Sequence, residues 1–155
     1  MLGLPIEYTL IRSFPESIIM VFATNILWNL SLSKKEIFKY GIILGLSITL
    51  IRSLPIVFGM HTILIMVVYA IMISMLMNKQ PVKSMLSTCL IFASLILSEA
   101  VYMMISVYIL GIEEKLLLGV YNMNSALMSL PSLLVFLLIV ILLKKVIDKL
   151  NFSRG

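Results

Sequence analysis

Apolar runs of about twenty residues, separated by short polar punctuation, divide this chain from end to end. The first run covers residues 14–33, from Phe14 to Ser33, with Trp28 near its end, and Lys34 and Lys35 close it. The others cover residues 37–54, 60–77, 82–110 and 125–143, the last closed by Lys144-Lys145. Each is long enough to cross a hydrocarbon layer of about 30 Å as a helix. The fourth exceeds one crossing, so it must tilt or project. Asn78-Lys79-Gln80-Pro81 reads as a turn, because proline cannot continue a helix and asparagine favours turns. The pattern predicts an all-α protein: an integral membrane bundle of five transmembrane helices. Residues 1–12 are mixed, lack the basic start of a secretory signal, and read as an outward-facing arm. Residues 111–124 are too short to cross and return, although Leu116–Val120 suits the interface. No linker or internal repeat divides residues 1–155, so a single membrane domain is expected.

Composition strengthens the membrane expectation. Apolar residues make up 61% and charged residues 12%, with a mean hydropathy of +1.14. A soluble domain carries about twice that charged share. Nine of the twelve basic residues cluster: Lys34, Lys35 and Lys39; Lys79 and Lys83; Lys144, Lys145, Lys149 and Arg154. The clusters follow runs one, three and five. The positive-inside rule then places the N-terminus outside and the C-terminus in the cytoplasm of a multi-pass cell-membrane protein. Glu7, Glu16, Glu113 and Glu114 fall on the outer side with Arg12, Arg52 and Lys115. The net charge of +5 does not point to nucleic acid, because no continuous basic face exists; the partner it suits is the anionic bilayer surface. One cysteine allows no internal disulfide, and the twelve methionines suit flexible apolar packing.

Gly41 and Gly45 form a GxxxG pair extended by Thr49, a spacing that lets two helix backbones approach closely. It serves either packing within one chain, which is favoured, or a homodimer. Ser84 with Thr88, and Ser94 with Ser98, repeat the spacing.

Four ionisable residues fall inside the predicted spans. Counting about 1.5 Å per residue from the nearest lysine cluster puts Glu16 and His61 about 27 Å up, Glu99 about 24 Å and Arg52 about 20 Å. All four share the outer leaflet on different helices. Charges there face the bundle interior and pair. One reading is a structural ion pair of Arg52 with Glu99 or Glu16. A second is an outward-open ligand pocket of Arg52, Phe58, His61, Glu99 and Glu16, beside the interrupted backbone of residues 54–59. A third is a proton relay through His61 and Glu99. Cys89 and His61 differ in depth by about 18 Å, so they form no nucleophile–base pair. One histidine and no acidic cluster give no zinc site, and no glycine-rich phosphate loop is present. No metal, cofactor or enzymatic activity is expected.

Arg52-Ser53-Leu54-Pro55-Ile56-Val57-Phe58-Gly59-Met60-His61-Thr62 resembles an R-x-L-P-x-x-F-G-x-H-T signature. That signature occurs in the multi-span membrane regions of Gram-positive sensor histidine kinases with GHKL-type ATPase domains. Pro15-Glu16-Ser17 and the lysines after the first run fit the same pattern. The resemblance implies signal sensing at the cell membrane. Those kinases continue into a phosphoacceptor helix and an ATP-binding domain, which these residues lack, so a non-catalytic sensing or partner-binding module is expected. Its output would pass to a kinase or regulator. A small transporter component working with an ATPase subunit, or a structural membrane subunit, are the alternatives.

Overall fold

The computed structural model describes residues 6–54, 59–77, 80–108, 111 and 128–152, with side chains described over 10–149 of that set. These residues form five α-helices and no strands: α1 (Ile6–Trp28), α2 (Lys34–Ser53), α3 (Met60–Leu76), α4 (Pro81–Tyr108) and α5 (Ser132–Phe152). Phe58, Glu113, Glu114 and the 116–120 segment lie outside the described residues.

Local chemistry sets the helix ends. α1 closes where Asn29 adopts φ 50° and Leu30 N–H returns to the Asn25 carbonyl at 3.3 Å. That is a Schellman closure with asparagine in the left-handed position. The Asn25 side chain then accepts from Leu32 N–H at 3.0 Å, which directs the chain into α2. Ser33 caps α2 in a reciprocal box with Glu36. The Ser33 hydroxyl and backbone hold the Glu36 carboxyl below its ordinary pKa. α3 starts after Gly59, whose φ of 96° is costly for any residue with a Cβ. Pro81 occupies the first position of α4, where its missing N–H costs nothing.

Two helices, the first and the last, differ from the hydropathy reading at both ends. α1 begins at Ile6, so Arg12 stands within the helix rather than on an arm. Pro15, near the start of the apolar run, lies inside α1. α1 also stops at Trp28, short of Ser33, because the Schellman turn intervenes. α5 begins at Ser132 rather than 125 and continues through Lys144-Lys145 to Phe152. Lysine is a good helix former, and Lys144 pairs with Asp148 one turn on at 3.3 Å. The described basic residues therefore occupy helix ends more than loops.

α1 packs most extensively on α2 and also meets α5 and α4, while α4 lies between α3 and α5. The α1–α2 contact depends on the glycine pair. A Cβ on Gly41 would fall 2.6 Å from Ile18 Cγ1 and 2.8 Å from Ile18 Cα. One on Gly45 would fall 2.9 Å from Ser17 Oγ. The Ser17 hydroxyl donates to the Gly41 carbonyl at 2.8 Å across the seam. At the centre, fully buried Tyr69 of α3 shares a short hydrogen bond with Thr24 of α1. Its ring meets Phe92 of α4 edge-on, centroids 5.7 Å apart. Around it pack Met20, Leu44, Ile48, Ile73, Ile91, Phe136 and Val140.

Large apolar side chains are exposed on the outside of the bundle, and small polar ones are buried beside its apolar core. Ser84, Ser87, Thr88, Ser94 and Ser98 of α4 are buried, while Val82, Met85, Leu86, Ile96 and Leu97 on the same helix are exposed. Ser13, Ser17 and Thr24 of α1 are buried as well, and Phe22 is exposed. Buried hydroxyls mostly return to carbonyls three or four residues back, as Ser94 does to Leu90 at 2.7 Å. Among the described residues, two helices are long and apolar enough to cross a membrane, Leu10–Trp28 and Pro81–Tyr108. Met60–Leu76 is a shorter apolar helix. α2 carries Lys34, Lys35 and Lys39 at one end and Arg52 at the other; α5 carries its charges in its C-terminal half, from Lys144 onward.

Candidate functional site

An ionic network joins α1, α2 and α4 at the end of the bundle away from the lysine clusters. Glu16 lies at its centre, 4% exposed. Its Oε2 is 3.5 Å from Arg52 Nη2 and 3.9 Å from Arg12 Nε. Arg12 Nη2 donates in turn to Glu99 Oε1, and Arg52 Nη1 donates to the Ser13 hydroxyl at 3.3 Å. The order Glu99–Arg12–Glu16–Arg52 alternates in sign and sums to zero. Such an arrangement lets four charges sit inside a bundle at tolerable cost.

Helix geometry accounts for these meetings. Arg12 and Glu16 are one turn apart on α1 and share a face. Ser13 and Ser17 of the same helix are fully buried along the α2 seam. Arg52 sits in the last turn of α2, where a cation also complements the negative end of the helix dipole. Glu99 approaches from α4. The close α1–α2 approach at Gly41 and Gly45 brings Arg52 within reach of Glu16.

The network opens toward one edge. The Glu99 side chain is 41% exposed, and those of Arg12 and Arg52 are 23% and 21% exposed. An incoming anion would meet the Arg12–Glu99 pair before it met Glu16.

The structure brings together three of the five residues proposed from sequence: Glu16, Arg52 and Glu99. Arg52 pairs with Glu16, and Glu99 pairs with Arg12 rather than with Arg52. His61 stands apart. Its Nε2 donates to the Leu54 carbonyl at 3.0 Å, fastening the start of α3 to the end of α2. That contact supports neither a direct bond to the network nor a His61–Glu99 relay. Phe58 is outside the described residues. Arg12 and Ser13 are the members that sequence reading missed. The i,i+4 spacing of Arg12 and Glu16 was the available signal, hidden by reading residues 1–12 as an arm ahead of a run that starts at Phe14.

Among the described residues, no three His, Cys, Asp or Glu side chains gather to hold a metal ion. Cys89 is exposed on α4, far from the network along the helix. No protein-family model, curated protein or solved structure matches this chain, so the functional reading rests on the ionic network and on the surface around it.

Proposed function

We propose that this is a five-span membrane protein, N-terminus outside and C-terminus in the cytoplasm, acting as a non-catalytic signal-sensing or partner-binding module. The outward-facing apolar surface carries the membrane part of this reading. Leucine, isoleucine, valine and methionine cover much of the outside, while serines, threonines and Glu16 share the inside with the apolar core. Water would disfavour that arrangement, whereas hydrocarbon favours it. In this reading α2 and α5 join the spans through their charge-free stretches, residues 40–51 and 132–143, with the adjoining lysines reaching toward the headgroups.

The outer network is the candidate site. It is a set of paired charges whose partners an outside ligand or a neighbouring transmembrane helix can exchange. Arg52 belongs both to the network and to the segment resembling GHKL-kinase sensor regions, which favours a kinase or regulator as the recipient of the signal. A transporter component would instead draw on the buried hydroxyls of α4, but most of these are closed onto their own helix carbonyls.

Two measurements test the proposal. A reporter fused after Gly155 should be active only in the cytoplasm, and activity outside would overturn the topology. In the native cell, Glu99→Gln should change a defined set of transcripts while the protein stays folded at wild-type level. A change in solute uptake without a transcriptional change would favour transport, and no change in either would leave a structural subunit.

A further inference from the structure

A groove of about 370 Å³ runs between α3 and α4. Ile63, Met66 and Ala70 of α3 and Met85, Thr88 and Cys89 of α4 are among its walls. It offers a ligand no hydrogen bond from its one hydroxyl, because Thr88 Oγ1 already donates to the Ser84 carbonyl at 2.8 Å. Its chemistry therefore suits a hydrocarbon chain.

The groove leads toward charge. α3 ends at Leu76 and α4 begins at Pro81, and the two helices pack together. Ile63 lies as far back from Leu76 as Ser94 lies beyond Pro81, so these two are level. Glu99 stands about 7 Å further along α4. Glu99 is also eleven residues from Thr88, about three full turns, so both share one face of the helix. The drop from Glu99 to Thr88 is about 16 Å, close to half of a hydrocarbon core of about 30 Å. One leaflet's acyl chain spans that depth.

The exposed edge of the network selects the head. Arg12 donates to Glu99, and the two side chains are 23% and 41% exposed. An anion alone would draw Arg12 away and strand the Glu99 carboxylate inside the membrane, which is costly. A headgroup with both signs answers both partners: an anion for the guanidinium and an N–H-bearing ammonium for the carboxylate.

We infer that the groove and the outer network together bind an aminated phospholipid, its phosphate on Arg12, its ammonium on Glu99 and one acyl chain between α3 and α4. This names a ligand class for the site proposed above and rests on the membrane placement given there.

Phosphatidylethanolamine carrying a diazirine at the end of one acyl chain would be photolysed with the full-length protein in washed membranes, and the adducts mapped by mass spectrometry. Adducts should concentrate on residues 63–70 and 85–89. Unlabelled phosphatidylethanolamine should displace the probe at about a tenfold lower concentration than phosphatidylglycerol, which lacks the ammonium, or phosphatidylcholine, whose ammonium has no N–H. Glu99→Gln should abolish that preference. Ala70→Phe, which fills the groove, should lower the adduct yield severalfold, whereas Leu97→Phe, on the exposed face of α4 outside the groove lining, should behave as wild type. Adducts spread evenly over all helices, equal displacement by the three lipids, or an intact preference in Glu99→Gln would each overturn the inference while leaving the membrane reading in place. Recovery of the folded protein in the soluble fraction would overturn both. The readout is binding itself, independent of the transcript response that tests sensing.

Discussion

Glu16 faces two guanidiniums while almost fully buried, and this asymmetry ranks the members of the ionic network. Removing its charge takes one of two carboxylates from Arg12 and the carboxylate partner from Arg52, which keeps its bond to the Ser13 hydroxyl. Glu16→Gln should therefore destabilise the bundle by about 3 kcal/mol. Glu99 is more exposed and holds only one end, so Glu99→Gln should cost about 1 kcal/mol or less. Thermal unfolding in detergent reads the order directly, and a larger loss for Glu99→Gln would contradict the network as drawn. Sequence alone revealed Glu16, Arg52 and Glu99 because charge inside an apolar run is conspicuous and helical rise converts position to depth. It did not give the pairing. Arg12 looked like part of an arm, and depth says nothing about which face of a helix a side chain occupies. His61 matched the others in depth yet bonds to the Leu54 carbonyl, for the same reason.

Among the elements, the α1–α2 pair is the tightest joint. At Gly41 a methyl group would collide with the Ile18 backbone at 2.8 Å, and a helix backbone yields less readily than a side chain. Gly41→Ala should thus separate the helices and cost about 2 kcal/mol, read as a lower melting temperature. Because the Arg52–Glu16 contact depends on the same approach, Gly41→Ala combined with Glu16→Gln should cost less than the sum of the two. Full additivity would show that the seam and the network are independent. The glycine spacing was legible because it is a local period of four. The helix ends were less so. A proline marks a helix start in most settings, and Pro15 looks the same whether it begins α1 or lies inside it. A double lysine marks the edge of an apolar run but does not terminate a helix, so α5 continues past Lys145.

For the whole molecule, the decisive property is which side chains face outward. Ile96 lies on the exposed face of α4, about 20 Å along the helix from Lys83. In a bilayer Ile96→Asp would place a carboxylate in hydrocarbon at a cost of a few kcal/mol. The variant should be lost from carbonate-washed membranes, whereas folded Ile96→Asp recovered in the soluble fraction would defeat the membrane reading. That outward face was only half visible in sequence. Hydropathy reports how apolar a helix is, but the burial of Ser87 and the exposure of Ile96 follow from which helices pack together. Pro15 has a mechanical consequence for this bundle. Proline offers no N–H to the carbonyl of Ile11, so the α1 backbone has a compliant joint there. On one side of it, Ile18 is seated against Gly41 and Thr24 is bonded to Tyr69. On the other side stands Arg12, and the Arg12–Glu16 pair spans the joint like a brace. An anion that draws Arg12 away from its carboxylates removes that brace, and the outer turns of α1 can swing on Pro15 while the helix from Ile18 to Trp28 stays where it is.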